Sequence, residues 1–194
     1  SLDYNGETMK EFVEKVKTDP MFAEKYGDLG PVYGRQWRHF EGPDGKFVDQ
    51  LAEVIEMIKT NPGSRRLIVS AWNPPLIPEM ALPPCHVLTQ YHVNKKDELS
   101  CLLFQRSGDV GLGIPFNIAS YALLVHILCN HINNTDGIKG KNINPGKLMM
   151  VFCDVHIYEE HKEAVLTQIS RTPYLFPQIK LNYNIQNFNK DGEN

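Results

Sequence analysis

The sequence has few cysteines, and none lies close to another. Its four cysteines, at positions 85, 101, 129 and 153, form no C-x-x-C pair. This spacing argues against a zinc knuckle or a redox dithiol and predicts reduced thiols in a cytoplasmic protein. The histidines at 126 and 131, and at 156 and 161, are spaced i,i+5. That spacing gives a poor shared face on a helix, so no metal site is predicted.

Long apolar runs and an excess of charge are also missing. The longest apolar stretch, IASYALLVHILC, is too short and too interrupted to predict a membrane span. The first residues, SLDYNGETMKEF, lack the basic start and apolar block of a signal peptide. The net charge of −3 and the pI near 6.2 give no reason to expect a nucleic-acid or membrane surface. With 194 residues and 42% hydrophobic content, the chain is expected to form one domain over residues 1–194.

The patterns that are present mix helices and strands. FVDQLAEVIEMIKTNP predicts a helix with one apolar face formed by Phe47, Leu51, Val54, Ile55 and Ile58. PFNIASYALLVHILCNHI is apolar nearly all round and predicts a buried helix. TMKEFVEKVK and EEHKEAVLTQIS also predict helices, whereas the glycine-rich GDLGPVYGRQW predicts a loop.

Five segments predict strands. RRLIVSAW is typical of a buried strand, and HVLTQYHV and ELSCLLFQRS are typical of two strands joined by a polar turn. KLMMVFCDVHIY and QIKLNY complete the set. Together with the helices, they indicate an α+β fold with one mostly antiparallel or mixed sheet packed against helices.

One cysteine stands at the start of a predicted strand. In MALPPCHVLTQYHV, two prolines come directly before Cys85. Isolated cysteines are usually small buried apolar residues, so the thiol alone does not indicate chemistry. His86 is a poor candidate base for it, because neighbours on a strand point to opposite faces.

Arginine is scarce, with six among the 20 basic residues. Arg65 and Arg66 are adjacent at a loop–strand junction, and Arg106 precedes Ser107 where a strand ends. An arginine pair alone is more often a solvated loop. The guanidinium fork suits phosphate oxygens, however, and a hydroxyl and free backbone N–H groups can join the same anion site. A small anionic substrate near a thiolate nucleophile is therefore plausible, but the spacing does not identify the electrophile.

Taken together, these segments closely resemble the thymidylate synthase family. The shared motifs follow the family's order and cover most of residues 27–177: GDLGPVYGRQWRHF, DQL, NPGSRRLIVSAWNP, MALPPCH, LSCLLFQRSGDVGLGIPFNIASYALL and DVHIYEEH. The resemblance implies reductive methylation of dUMP to dTMP. The co-substrate would be 5,10-methylenetetrahydrofolate, which leaves as dihydrofolate, and no metal is implied.

The resemblance also assigns roles to residues. Cys85 would be the nucleophile that adds to C6 of the uracil ring, which divides one hard substitution into easier steps. Tyr33 would help to organise proton transfer from C5. Arg106 and Ser107 would hold the phosphate, and Arg106 would also stabilise the thiolate. Gln105 and Gly108 complete this nucleotide-binding segment.

Further roles concern the ribose, the folate and a second subunit. His156 and Tyr158 would bind the ribose 3′-hydroxyl, and Asp109 would contact the folate. Arg65 and Arg66 resemble a pair that family members donate across a homodimer interface, which a face of the sheet would form. Nucleic acid is not expected as a partner, apart from messenger RNA.

Asn117 has two interpretations. It precedes IASYALLVHIL, where an asparagine would serve as an N-cap. The family resemblance instead implies that its amide pairs with N3–H and O4 of uracil, which an amide can match because it has a donor and an acceptor. We favour substrate recognition.

Some parts of the family pattern are not recognisable. Residues 1–26 show no arginine-containing phosphate loop, catalytic glutamate or folate-site tryptophans, and the usual closing tail is not found after NFNKDGEN. Cys153 stands where glycine is expected. Two alternatives therefore remain: a synthase-like protein that binds a nucleotide, RNA or a protein without turnover, and a pyrimidine nucleotide hydroxymethylase. Asn117 argues against the cytosine-specific hydroxymethylase, in which the pattern has aspartate.

Overall fold

A computed structural model describes residues 8–135 and 137–181 of the chain. Its helices are α1 (Met9–Thr18), α2 (Pro20–Tyr26), α3 (Tyr33–Arg38), α4 (Gln50–Thr60), α5 (Gly113–Asn134) and α6 (Lys162–Ser170). Its strands are β1 (Phe40–Glu41), β2 (Phe47–Val48), β3 (Ile68–Ser70), β4 (His86–Val93), β5 (Glu98–Asp109) and β6 (Asn144–His156). Short 3-10 helices cover Pro74–Glu79 and Glu159–His161.

The main sheet has the order β3-β4-β5-β6. β3 and β4 are antiparallel, β4 and β5 form an antiparallel hairpin, and β6 lies parallel to β5. A parallel neighbour requires a crossover, which α5 provides between β5 and β6. The α+β expectation is confirmed, and the sheet is mixed.

Alternation along the strands separates two faces of this sheet. Residues such as Tyr91, Cys101 and Leu103 point inward and are buried against α4 and α5. The opposite face remains largely apolar: Ile68, Met149 and Val151 are 43–47% exposed. We call this second surface the outer face.

The N-terminal side of α5 is shaped by Asp109. Its carboxylate accepts hydrogen bonds from the backbone N–H groups of Gly111, Leu112 and Gly113 at 3.0–3.2 Å. These donors would otherwise lack partners at the start of a helix. The helix therefore begins at Gly113, and Asn117 lies inside it. The N-cap interpretation of Asn117 is wrong.

α5 also differs from its prediction in burial and length. It is 22 residues long, and by length and composition alone it could cross a membrane, a test that core helices of soluble proteins also pass. The expectation that this run is too short is thus wrong. One side packs on β5 and β6, while Phe116, Ile118 and Leu123 on another side remain exposed. The helix is therefore buried on one side and exposes apolar residues on another, rather than being buried all round.

Three smaller expectations also change. Phe47 belongs to β2 and is exposed, so only Leu51, Val54, Ile55 and Ile58 form the buried face of α4. The predicted glycine-rich loop contains the short helix α3. Residues 178–181 of the predicted strand QIKLNY are not in a strand, and its last two residues lie outside the described residues, as does the tail NFNKDGEN.

Candidate active site

The backbone N–H and C=O groups of Cys85 both form hydrogen bonds. It is half-buried and lies directly before β4. Its N–H donates to the hydroxyl oxygen of Tyr33 at 2.9 Å, and its carbonyl accepts from the N–H of Arg106 at 2.9 Å. Proline fixes φ at the two preceding positions. The backbone that carries the thiol is therefore restricted in its conformation.

The Arg106 side chain reaches the same loop. Its Nε donates to the carbonyl of Pro84 at 2.9 Å, and its Nη2 donates to the carbonyl of Pro83 at 2.7 Å. The guanidinium also lies 5.8 Å from the ring centroid of Trp72, within range of a cation–π interaction. A guanidinium has five N–H donors, so Arg106 retains donors for an anion beside Cys85.

Three aromatic rings lie in a row that begins at Tyr33, the residue bonded to the N–H of Cys85. The Tyr33 ring centroid is 5.2 Å from that of His86, which in turn is 5.3 Å from that of Tyr121. Burial raises the pKa of the Tyr33 hydroxyl, and the negative charge of a Cys85 thiolate adds to this rise, although backbone hydrogen bonds oppose it. Tyr33 therefore stays protonated near neutral pH.

His86 is kept neutral by its surroundings. Burial lowers the pKa of its imidazole, and a hydrogen bond with the Asn117 amide opposes this only in part. Its ring contacts Tyr33 and Tyr121. The His86 ring thus lies between those of the two tyrosines.

Asn117 belongs to a short chain of hydrogen bonds. The Gln105 Nε2 donates to the backbone carbonyl of Ser107 at 2.9 Å and to Oδ1 of Asn117 at 3.0 Å. A carbonyl can only accept, so the Ser107 contact fixes which end of the Gln105 amide is the nitrogen. Gln105 in turn fixes Asn117 with its oxygen toward Gln105. The Oε1 of Gln105 is buried and has no hydrogen-bond partner within the described parts of the chain.

The neighbouring Gly108 is closely packed. A Cβ at this position would lie 2.9 Å from Cδ1 of Ile114 and 3.3 Å from Cδ1 of Phe152. Glycine lets β5 lie tightly against the start of α5 and the middle of β6. This packing brings Gln105, Ser107 and Asp109 to one end of the sheet.

Asp109 is a charged group held by backbone donors. Desolvation raises the pKa of its carboxyl, but the three N–H donors and the imidazole of His161 outweigh it, so the pKa lies below its usual value. The His161 Nδ1 is 3.9 Å from Oδ1 of Asp109. Asp109 is therefore ionised at neutral pH.

His156 and Tyr158 lie together, although β6 ends at His156 and Tyr158 follows the strand instead of belonging to it as the alternation predicts. Their ring centroids are 5.0 Å apart in an edge-on arrangement. The His156 Nδ1 lies 2.8 Å from Oδ1 of Asp154, which orients the imidazole. Sequence reasoning missed Asp154 and His161; the only signal was that both fall within DVHIYEEH.

Arg65 and Arg66 lie elsewhere. Both are exposed, and the carbonyl of Arg65 accepts from Nε2 of Gln90 on β4 at 3.5 Å. Gln90 follows Cys85 by five residues, which is roughly 16 Å at about 3.3 Å per strand residue. The structure does not bring these two arginines to Cys85 within one chain.

Across the described residues, no group of three or more His, Cys, Asp or Glu side chains is arranged to hold a metal ion.

Comparison with known proteins decides the family. The sequence model of the family described as Thymidylate synthase matches residues 4–192. The chain belongs to the thymidylate synthase family. The thymidylate synthase of Mycoplasma pneumoniae is 50% identical over 181 residues, which are 93% of this chain and 58% of that protein. That of the Aster yellows witches'-broom phytoplasma is 51% identical over 184 residues, 95% of this chain and 59% of that protein.

A third relative gives the same result. The thymidylate synthase of Listeria innocua is 47% identical over 202 residues, covering 93% of this chain and 61% of that protein. The chain thus spans about three fifths of the length of the curated thymidylate synthases that it matches.

The thiols should differ sharply in reactivity. Burial raises the pKa of Cys101 and of Cys129 to about 12. At pH 8 roughly one in ten thousand of these groups would be a thiolate, the reactive form. In a Cys153→Ser variant at pH 8, we expect iodoacetamide to label Cys85 alone in the native protein, and all three thiols after unfolding. Mass spectrometry of peptides measures this, and native labelling of Cys101 or Cys129 would contradict it.

Proposed function

We propose that this protein is a thymidylate synthase, a methyltransferase that converts dUMP to dTMP. The observation that carries this proposal is the position of Cys85, whose backbone is held by Tyr33 and Arg106 while the Arg106 guanidinium binds the two preceding carbonyls. Family membership supports the same chemistry. The reduced thiols of all four cysteines fit a cytoplasmic location.

In this mechanism Cys85 and the nucleotide form the covalent bond. The thiolate adds to C6 of uracil, and the electron pair of the C5–C6 bond moves toward C5 and O4. The guanidinium of Arg106, bound to the carbonyls of Pro83 and Pro84, places a positive charge at the loop that carries the thiol. Asn117 donates from Nδ2 to O4 as negative charge develops there, which stabilises the enolate. C5 then attacks the one-carbon unit of the folate, the C5 proton is lost and the folate is eliminated. A hydride reduces the exocyclic methylene to a methyl group, and elimination of the thiolate restores the C5–C6 double bond.

The second substrate is 5,10-methylenetetrahydrofolate, which supplies both the one-carbon unit and the hydride and leaves as dihydrofolate. Asp109 is the residue that would hold it, because an ionised carboxylate can accept from the N–H groups of a pterin. The three backbone bonds leave acceptor capacity on its two oxygens. Tyr33, held protonated beside Cys85, cannot accept a proton itself, so its hydroxyl would help to organise the transfer of the C5 proton to another acceptor.

The test is a spectroscopic assay with dUMP and 5,10-methylenetetrahydrofolate. We expect dihydrofolate to form, whereas a hydroxymethylase would release tetrahydrofolate and a binding protein would release neither. Cys85→Ala should keep the fold and bind dUMP, but it should form no covalent complex with 5-fluoro-dUMP and folate, because no sulfur remains to add to C6.

Cys153→Ser is the matched control and should retain the covalent complex. An adduct that persists in Cys85→Ala would reject Cys85 as the nucleophile.

The orientation of Asn117 supports a preference for uracil as part of this proposal. With Oδ1 turned toward Gln105, the amide offers Nδ2 to O4 and its oxygen to N3–H. Cytosine presents an acceptor at N3 and a donor at N4, so it requires the amide to be flipped. The flip would set Nδ2 of Asn117 against Nε2 of Gln105, two donors facing each other.

Asn117→Asp should reverse part of this preference. An ionised aspartate cannot donate to O4, but it accepts from the cytosine amino group. An unpaired buried polar group costs about 1–3 kcal/mol, so we expect the dUMP:dCMP ratio of kcat/KM to fall roughly ten- to a hundredfold. Steady-state kinetics measures the ratio, and circular dichroism checks that α5 survives. An unchanged ratio with a lower melting temperature would indicate a purely structural role.

We further propose a homodimer formed by the outer face of the sheet. This face is broad and apolar, and exposed apolar surfaces of this kind mark protein interfaces. A second copy is the preferred occupant because Arg65 and Arg66 lie at its rim, too far from the Cys85 of their own chain to reach it. A twofold axis would carry them toward the partner's nucleotide site.

Shared sites can be tested by complementation. Cys85→Ala and Arg65→Glu chains should each be inactive alone. After subunit exchange, a heterodimer holds one site with both lesions and one with neither, so up to about a quarter of wild-type activity should return for an even mixture. Activity is measured after mixing, and native mass spectrometry verifies exchange. Exchange without recovery would mean that Arg65 acts within its own chain.

A further inference from the structure

His161 occupies a junction between two parts of the candidate site. It ends the 3-10 helix Glu159–His161, directly before α6. On one side it packs against the turn that follows Asp109, and on the other its ring centroid is 5.9 Å from that of Tyr158 in an edge-on arrangement. The mechanism proposed above gives His161 no task.

The turn that follows Asp109 leaves room for the imidazole of His161 because it contains Gly111. A Cβ at Gly111 would lie 3.2 Å from Cβ of His161 and 3.3 Å from its Nδ1. With a side chain at this position, the imidazole would have to move by a few tenths of an ångström, so glycine favours the close approach. The carboxylate of Asp109 already bonds the N–H of Gly111, so the imidazole and the carboxylate hold the same turn.

The imidazole faces Asp109 without a completed hydrogen bond. The His161 Nδ1 is buried and has no hydrogen-bond partner in the described segments, although Oδ1 of Asp109 is only 3.9 Å away. An unpaired buried nitrogen carries a free-energy cost, which closing this gap would remove. A movement of about 1 Å by the Asp109 turn or by His161 would bring the two atoms to hydrogen-bond distance.

A row of side chains continues from His161 in the other direction. Tyr158 contacts His156, and His156 is bound to Asp154. The row therefore joins Asp109, expected at the folate, to the His156–Tyr158 pair, expected at the ribose. Packed side chains of this kind can transmit a change of position from one site to the other.

We propose that His161 is a positioning residue that couples the nucleotide and folate subsites, an inference that rests on the function proposed above. A nucleotide that binds to Tyr158 fixes the position of the Tyr158 ring, against which His161 packs. The imidazole then closes on Asp109 and holds its carboxylate for the folate. Coupling of this kind is reciprocal, so folate would strengthen nucleotide binding by the same factor.

The test measures coupling by binding, without turnover. Dihydrofolate and dUMP serve as probes, and titration calorimetry gives the Kd of dihydrofolate with and without saturating dUMP. The ratio of these two constants is the coupling factor. Three variants are compared with the wild type: His161→Phe, which keeps a ring but removes both nitrogens; His161→Gln, which keeps a side-chain donor; and His126→Gln, a matched control on α5.

We expect dUMP to tighten dihydrofolate binding to the wild type, and His161→Phe to reduce the coupling factor at least about fivefold, the low end of typical couplings. His161→Gln should retain part of it and His126→Gln all of it. The Kd of dUMP alone should change less than threefold in His161→Phe. This change is smaller than the one expected from the loss of a typical hydrogen bond.

Three results would overturn the inference: an unchanged coupling factor in His161→Phe, an equal loss of both single-ligand affinities, or a wild type that shows no coupling. A wild type that binds both ligands with His161-dependent coupling but yields no dihydrofolate from dUMP and methylenetetrahydrofolate would reject the synthase proposal alone. A wild type that binds neither ligand would reject both.

Discussion

The candidate site depends on the contact between Arg106 and the loop that carries Cys85. Three hydrogen bonds join this one residue to the carbonyls of Pro83, Pro84 and Cys85. Those carbonyls have no helix or extended ladder of their own, so arginine on the neighbouring strand supplies the donors that they need. The same bonds bring a permanent positive charge beside the thiol. The same guanidinium therefore stabilises the loop and supplies a positive charge to the site.

Much of the fold was predictable because its signals are local. The alternation in HVLTQYHV and ELSCLLFQRS gave the hairpin of β4 and β5, and the apolar period of residues 51–58 gave the buried face of α4. The errors occurred where tertiary contacts compete with local preference. Asparagine is a typical N-cap residue, which led to the prediction for Asn117. The Asp109 carboxylate instead accepts from the N–H groups at the start of α5, so the helix begins before Asn117. Phe47 fits the helical period, but it pairs in β2 with Glu41.

The site itself was only partly predictable. Motif resemblance indicated which residues to examine. His156 and Tyr158 lie together as expected, but the strand ends at His156, so their contact does not come from strand alternation. No sequence pattern could reveal that the Ser107 carbonyl orients Gln105, or that Gln105 then orients Asn117. That chain combines a backbone atom, a strand side chain and a helix side chain. His161 was missed for the same reason: its contact with Gly111 joins segments that are distant in sequence.

The pairing of β6 has a consequence for how the chain folds. Val93 pairs with Leu99, so the β4–β5 hairpin closes a very short loop, whereas Glu98 pairs with Asn144 across the whole of α5. Closing the longer loop costs more chain entropy and slows folding. The hairpin should therefore form before β6 docks. Cys85 and Arg106 lie on the early unit, while His156, Tyr158 and His161 arrive with the late one. The contact between Cys85 and Arg106 would thus form before the side chains at the end of β6 are in place.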